Sequence, residues 1–235
     1  MIRAVIFDFN GVLVDDEHLH FAMFQEVLAE EGVDITEDDY HHKYLGLDDR
    51  GCFAAALDDG GQTSNEPRLD DLIARKAVRY AANAAKELNF FAEAAQTLER
   101  LGSVFPIAIN SGALRPEIEF ALGLIDRRRF VREIVSAEEV EHCKPHPQGY
   151  QMALEVLRRE PGFGDLAPHE CVVFEDSLAG VISAKGAGMH AVGVSNTYPT
   201  DELRASGADA VIDGLVGIDP AWIARTFNGA LNHVV

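Results

Sequence analysis

The sequence predicts an α/β protein: a doubly wound, mostly parallel, Rossmann-like sheet with a helical domain inserted near its start. Two observations carry that expectation. Short apolar runs without polar alternation recur along the chain, and from about residue 92 onward they take turns with helical stretches. Strands of a parallel sheet are covered on both faces, so they read as continuous apolar runs. Strand and helix in regular succession give the doubly wound architecture.

The first run is AVIF, which ends just before Asp8. The succession then breaks, and helical periodicity replaces it. Leu19, Met23, Phe24, Val27 and Leu28 have the spacing of one amphipathic helix that stops near Gly32. Leu72, Ala77, Tyr80, Ala81 and Ala84 have that of another. The stretch 58–67, rich in Gly, Asp, Ser and Asn, reads as one polar loop. A helical domain is therefore expected over 16–88, and an α/β core over 1–15 and 89–235. An insertion at the carboxyl end of a strand stands over the crevice where open α/β sheets bind ligands. In the core, FPIAI before Asn110, CVVF before Glu175 and HAVGV before Ser195 read as strands, with weaker candidates in FVREIV and ADAVI. Helices are expected over 116–124, 148–158 and 178–186.

Composition narrows the class of function. The 235 residues carry 20 Lys and Arg against 39 Asp and Glu, a formal charge of −19, which disfavours nucleic acid and anionic membranes as partners because both are polyanions. At 47% hydrophobic the chain is too apolar for intrinsic disorder. No apolar run approaches the roughly 20 residues that span a bilayer, and the apolar N-terminus is interrupted at Asp8 before it could form a signal-peptide core. A cytoplasmic chain is expected, and nothing in the sequence demands more than a monomer. Cys52, Cys143 and Cys171 are odd in number and lack CxxC spacing, which points to reduced thiols.

The chemistry gathers at strand ends. The first run delivers Asp8 and Asn10 followed by Gly11, the second Asn110, Ser111 and Gly112, and the third Glu175, Asp176 and Ser177. Carboxyl ends of parallel strands lie side by side, so these residues are expected to meet. Carboxylates that meet need a cation, and oxygen-only ligands suit Mg²⁺. Ser111 and Lys144, which precedes the helix leading to the third run, add a hydroxyl and a fixed positive charge. The set describes a receptacle for a phosphoryl group beside a carboxylate nucleophile.

At these residues the chain resembles the haloacid dehalogenase superfamily and, within it, the β-phosphoglucomutase-like phosphatases. The resemblance covers nearly the whole chain and rests on FDFNGVLVD at 7–15, IAINSG at 107–112, KPHPQGY at 144–150 and VFEDSLAG at 173–180. It implies that Asp8 attacks phosphorus, that Ser111 and Lys144 bind the phosphoryl group, and that Glu175 and Asp176 hold Mg²⁺ with Asp8 and the Asn10 carbonyl. It also implies that the helical insert is a cap that closes over the site and supplies substrate contacts. DDEHLHF at 15–21 places His20 near the site entrance, Lys76 of the Arg75–Lys76 pair reaches substrate, and LGLDDR at 45–50, with Arg50, resembles a specificity loop. Asn110 and Gly112 complete the substrate-binding set.

One departure stands out. The family usually carries a second Asp two residues after the nucleophile, where this chain has Asn10. That Asp protonates the leaving group and later activates water, and an amide does neither. Binding is therefore expected to survive better than turnover.

Two other patterns fail their context. Residues 186–191 match G-x-G-x-x-A letter by letter, but they follow a helix and precede a strand, whereas a dinucleotide fingerprint needs strand, turn, then helix. His18 and His20 point about 200° apart around a helix axis and cannot chelate one ion, and adjacent His41 and His42 have the same difficulty. The expected function is Mg²⁺-dependent hydrolysis of a small phosphorylated metabolite, a sugar phosphate foremost. The alternatives are a phosphosugar mutase, which shares the first half-reaction, and a catalytically weak phosphometabolite-binding protein.

Overall fold

The computed structural model describes residues 1–45 and 47–228. It divides the chain into two compact units, Met1–Val14 with Phe90–Val235 and Asp15–Asn89. The first contains a six-stranded sheet built from β1 (Ala4–Phe7), β4 (Ile107–Asn110), β5 (Val131–Val135), β6 (Cys171–Glu175), β7 (His190–Val194) and β8 (Ala210–Ile212). β2 (Val14–Asp15) and β3 (Asn89–Phe90) mark the two places where the chain passes from one unit to the other, and they pair as a separate two-stranded sheet.

The large sheet has the order β5-β4-β1-β6-β7-β8, and every pairing in it is parallel. Val5 of β1 lies opposite Ile107 on one side and Val172 on the other. The chain runs outward from β1 through β4 to β5, then crosses to β6 on the other side of β1. Such a reversal opens a crevice at the carboxyl ends of the central strands.

Burial explains the unbroken apolar runs. Every residue of β1, β4 and β6 is buried. One face of the sheet, with Ala4, Ile6, Val173 and Ala191, packs with Tyr150, Leu157, Val181 and Ala184 from the helices Gln148–Leu157 and Leu178–Gly186. On adjacent strands Phe7 and Phe174 lie in register and stack with ring centroids 5.0 Å apart.

The helical unit is organised around the helices Glu17–Glu30, Asp49–Asp59 and Glu66–Glu87. Asn65 caps the last of these by accepting from the Arg68 amide, and Pro67 sits in its first turn, where a missing N–H costs nothing. Its core joins Phe24, Tyr40, Phe53, Leu57 and Leu72, with Phe24 and Phe53 edge to face at 4.9 Å.

The expected polar loop at 58–67 is shorter than its composition suggests. Asp58 and Asp59 close one helix, while Glu66 and Pro67 open the next. Helix Asp49–Asp59 also extends through the second half of the expected specificity loop, because Asp48 caps it through the Gly51 amide at 2.8 Å. Gly46 of that loop lies outside the described residues. All three cysteines are free thiols, and among the described residues no helix is long and apolar enough to cross a membrane.

Phe174 contributes a fully buried ring at the centre of the sheet. Phe174→Ala is expected to destabilise the α/β unit by about 3–5 kcal/mol. Urea unfolding followed by circular dichroism, with fluorescence of the sole tryptophan, Trp222, as a second probe, checks this.

Candidate active site

Asp8 follows β1 directly, Asn110 is the last residue of β4, and Glu175 is the last of β6. Since β1 lies between β4 and β6, their carboxyl ends bring Asp8, Ser111, Glu175 and Asp176 into one neighbourhood. One oxygen each of Asp8, Glu175 and Asp176 lies within 4.8 Å of the other two, and all three residues are buried.

Lys144 enters this cluster from the loop before helix Gln148–Leu157. Its Nζ donates to Asp8 Oδ1 at 2.6 Å and also to Glu175 Oε1. Tyr150, in the first turn of that helix, donates to the same Oε1 at 2.6 Å. The other Glu175 oxygen accepts from the Ser177 amide at 3.2 Å and its hydroxyl at 3.0 Å. Both oxygens of Glu175 are thus engaged by protein donors, and one oxygen of Asp176 accepts from the Thr197 hydroxyl.

Two glycines make room for these acids. A Cβ on Gly180 would stand 1.9 Å from the Glu175 carboxyl carbon. Gly11, at φ +74°, adopts a conformation that favours glycine, and a Cβ there would stand 1.9 Å from Asp176 Oδ2. Asn196 anchors the same turn by donating to the Gly11 carbonyl at 2.7 Å.

Ser111 is buried; its hydroxyl accepts from the Ala113 amide at 3.1 Å and donates to Asn10 Oδ1 at 3.4 Å. Asn10 and Ser111 are therefore neighbours. Asn110 is buried against the first turn of helix Gln148–Leu157, where a Cβ on Gly149 would stand 2.1 Å from its Oδ1. Gly112 is exposed in the loop that follows.

Electrostatics follow from burial. Desolvation pushes the Asp8 carboxyl up to about 7, opposed by the Lys144 ammonium and reinforced by Glu175. Desolvation, then Asp8 and Glu175, raises Asp176 well above the ordinary carboxylate range. Burial works against the Lys144 ammonium, but Asp8 and Glu175 outweigh it and hold its pKa above the usual lysine value. One lysine cannot neutralise three carboxylates. Oxygen donors alone, held close and short of positive charge, fit a hard divalent cation.

The expected substrate-binding residues of the helical unit are placed differently from one another. His20 and Lys76 are both buried and touch: Lys76 Nζ lies 2.7 Å from His20 Nδ1, 2.5 Å from Asp49 Oδ1 and 4.3 Å from the centre of the Phe24 ring. Arg50 is half-exposed and ion-paired with Glu66 at 2.5 Å and Asp70 at 2.6 Å. His18 is exposed while His20 is buried, so the two do not share a face.

The sequence reading passed over Tyr150, Gly180, Thr197 and Asn196. Tyr150 and Gly180 fall inside recognised motifs, at the end of KPHPQGY and of VFEDSLAG, and a volume argument about what must stand beside Glu175 could have found them. Thr197 and Asn196 lie beyond β7, where nothing in the sequence signals a contact with Asp176 or Gly11.

A parallel sheet whose adjacent strand ends converge on buried carboxylates and one lysine defines a class of hydrolases, and the family comparison agrees. Residues 5–194 match the haloacid dehalogenase-like hydrolase family, and the chain belongs to it. Among its relatives, hexitol phosphatase B of Escherichia coli (strain K12) is 29% identical, over 91% of this chain and 93% of the relative. In fold the chain is similar to β-phosphoglucomutase from Clostridium difficile, with a TM-score of 0.84 over 98% and 99% of the two chains at 21% identity. It is also similar to an aspartate-to-asparagine mutant of CbbY from Rhodobacter sphaeroides in complex with xylulose-(1,5)bisphosphate, with a TM-score of 0.77 and 26% identity over 92% and 96% of the chains.

The raised Asp8 pKa has a signed consequence. The native state holds a proton that the unfolded state has released between pH 3.8 and about 7. The Asp8 contribution to the stability of cation-free protein is therefore lost as pH rises through that window. A bound divalent cation favours the ionised form, so Mg²⁺ is expected to raise the melting temperature more at pH 8 than at pH 6. At about 2–4 °C per kcal/mol for a protein of this size, the difference is measurable by calorimetry. Equal shifts at both pH values would contradict the account.

Proposed function

We propose that this chain is a Mg²⁺-dependent phosphatase that acts on a small phosphorylated sugar through an aspartyl-phosphate on Asp8. The observation that carries the reading is the pair of buried Asp8 with partly buried Lys144 at 2.6 Å, set beside Glu175 and Asp176 at adjoining strand ends. Family membership and the relatives named as phosphatases support it.

In this reading Asp8, Asp176 and the Asn10 carbonyl would hold the cation, which when bound would supply charge neutralisation at the transferring phosphoryl oxygens. Glu175, with both oxygens taken by protein donors, keeps Lys144 and Tyr150 in place. An Asp8 carboxylate oxygen attacks phosphorus, the bond from phosphorus to the sugar oxygen breaks, and the sugar leaves as its alcohol with a proton drawn from solvent. Lys144 and Ser111 meet the charge on the phosphoryl oxygens. Water then attacks phosphorus, the bond from phosphorus to Asp8 breaks, and inorganic phosphate leaves while the water returns a proton to solvent. The helical unit, through His20 and Lys76, selects the non-reacting part of the substrate.

Asn10 is the weak point of this chemistry. The leaving oxygen needs a proton and the attacking water must lose one, and an amide serves neither step. General acid–base help contributes roughly 10²–10⁴ in rate, or about 3–5 kcal/mol. A second reading, a phosphometabolite-binding protein with slow turnover, is favoured by this residue. The CbbY mutant, with asparagine in place of an aspartate, is in complex with a sugar bisphosphate.

The two readings part on one substitution. Phosphate release from a panel of phosphorylated metabolites, with Mg²⁺ and with chelator, identifies the preferred ester. Asn10→Asp is then expected to raise its steady-state hydrolysis by at least about tenfold over fresh, mass-verified protein. Mass verification matters because Asn10 precedes Gly11, a pair prone to deamidation. An unchanged or lower rate would count against the hydrolase.

A further inference from the structure

Asp176 is held by a segment that lies outside every motif of the sequence. Residues 195–197 follow β7, the neighbour of β6 in the sheet, and each of them reaches a different part of the α/β unit. The Ser195 amide donates to the Ile212 carbonyl of β8 at 2.9 Å. Asn196 donates through its amide to the Val194 carbonyl at 2.8 Å and through Nδ2 to the Gly11 carbonyl at 2.7 Å. The Thr197 hydroxyl donates to Asp176 Oδ2.

Two groups assigned to the cation are therefore braced by adjacent residues. Asn196 holds the turn that carries the Asn10 carbonyl, and the Gly11 amide closes that turn on the Val14 carbonyl at 2.9 Å. Thr197 holds the Asp176 carboxyl. Among the described residues it is the one hydrogen-bond donor to that carboxyl, and it takes Oδ2.

Oδ2 is also confined from the side of Gly11, where a Cβ would stand 1.9 Å from it. An oxygen that already accepts a hydrogen bond and lies against backbone is a poor second ligand, which leaves Oδ1 as the oxygen Asp176 has to offer. This distinction separates two common cations. Ca²⁺ takes about six to eight oxygens in flexible geometry and readily uses both oxygens of one carboxylate, whereas Mg²⁺ demands near-octahedral geometry from few protein ligands. Selection between them rests on ligand number and rigidity.

We propose that Thr197 is a positioning residue that makes the site select Mg²⁺ over Ca²⁺: by taking Asp176 Oδ2 it holds that carboxyl to ligation through one oxygen, while Asn196 fixes the turn beside it. This rests on the proposed reading in which Asp8, Asp176 and the Asn10 carbonyl hold a divalent cation.

The test titrates the full chain at pH 8 with MgCl₂ and with CaCl₂ by calorimetry, with no substrate present. The unmodified protein is expected to bind Mg²⁺ more tightly than Ca²⁺, and Asp176→Ala to bind neither. Thr197→Val keeps the side-chain shape and removes the hydroxyl. Its ratio of Mg²⁺ to Ca²⁺ affinity is expected to fall at least about fivefold, the factor that one hydrogen bond carries. Thr197→Ser keeps the donor and is expected to keep the ratio. A merely structural role for Thr197 would weaken both ions alike, so the ratio decides. An unchanged ratio in Thr197→Val that melts as a folded protein overturns the proposal, and so does a Thr197→Ser ratio as low as that of Thr197→Val. Ca²⁺ bound as tightly as Mg²⁺ by the unmodified protein overturns it whether or not the variants fold. Absence of binding by either ion, or binding that persists in Asp176→Ala, removes the cation reading itself and the role of Thr197 with it.

Discussion

Three carboxylates buried within 4.8 Å of one another around a single lysine are the constraint on which the α/β unit depends. Buried acids repel and are poorly solvated, so each must be held by donors or charge. The fold provides both. β1 and β6 set the acids side by side, Lys144 bridges Asp8 and Glu175, and Tyr150 and Ser177 satisfy the rest of Glu175. Gly11 and Gly180 leave the volume that the carboxyl groups fill. What remains is a group of carboxylates beside Asp8 that could hold a metal ion.

Much of this was legible because sequence order and space coincide in a parallel sheet. AVIF, CVVF and HAVGV are strands for the reason their composition suggests, burial on both faces, and the polar residue after each falls at the same edge. The illegible parts are those fixed by packing between distant segments. Thr197 meets Asp176, and Asn196 meets Gly11 across 185 residues, through turns that no local pattern announces. Helix Asp49–Asp59 was hidden because its two ends are rich in acids, which read as loop, while its buried Cys52, Phe53, Ala56 and Leu57 span barely two turns.

Charged residues of the helical unit show the same limit more sharply. In the sequence, Lys76 and Arg50 are both candidates for contacting substrate, with Lys76 the closer match to the family pattern. The fold separates them: Lys76 is sealed against Asp49, His20 and Phe24, whereas Arg50 lies at a half-exposed surface between Glu66 and Asp70. The Lys76 contacts are desolvated and consequential for the fold, while the Arg50 pairs, screened by solvent, contribute little. Which carboxylate answers which cation is a tertiary fact that sequence order does not announce.

The amide at position 10 gains meaning from the same electrostatics. Asn10 sits on the turn after Asp8 and receives the Ser111 hydroxyl at 3.4 Å. An ionised carboxyl there would add negative charge to a strand end where Asp8 and Asp176 already resist ionisation. The amide keeps the hydrogen-bond acceptor for Ser111 while avoiding that added charge. What it gives up is proton transfer. In the proposed phosphatase reading, charge relief at the strand ends and acid–base catalysis compete for this one side chain, and an amide serves the first.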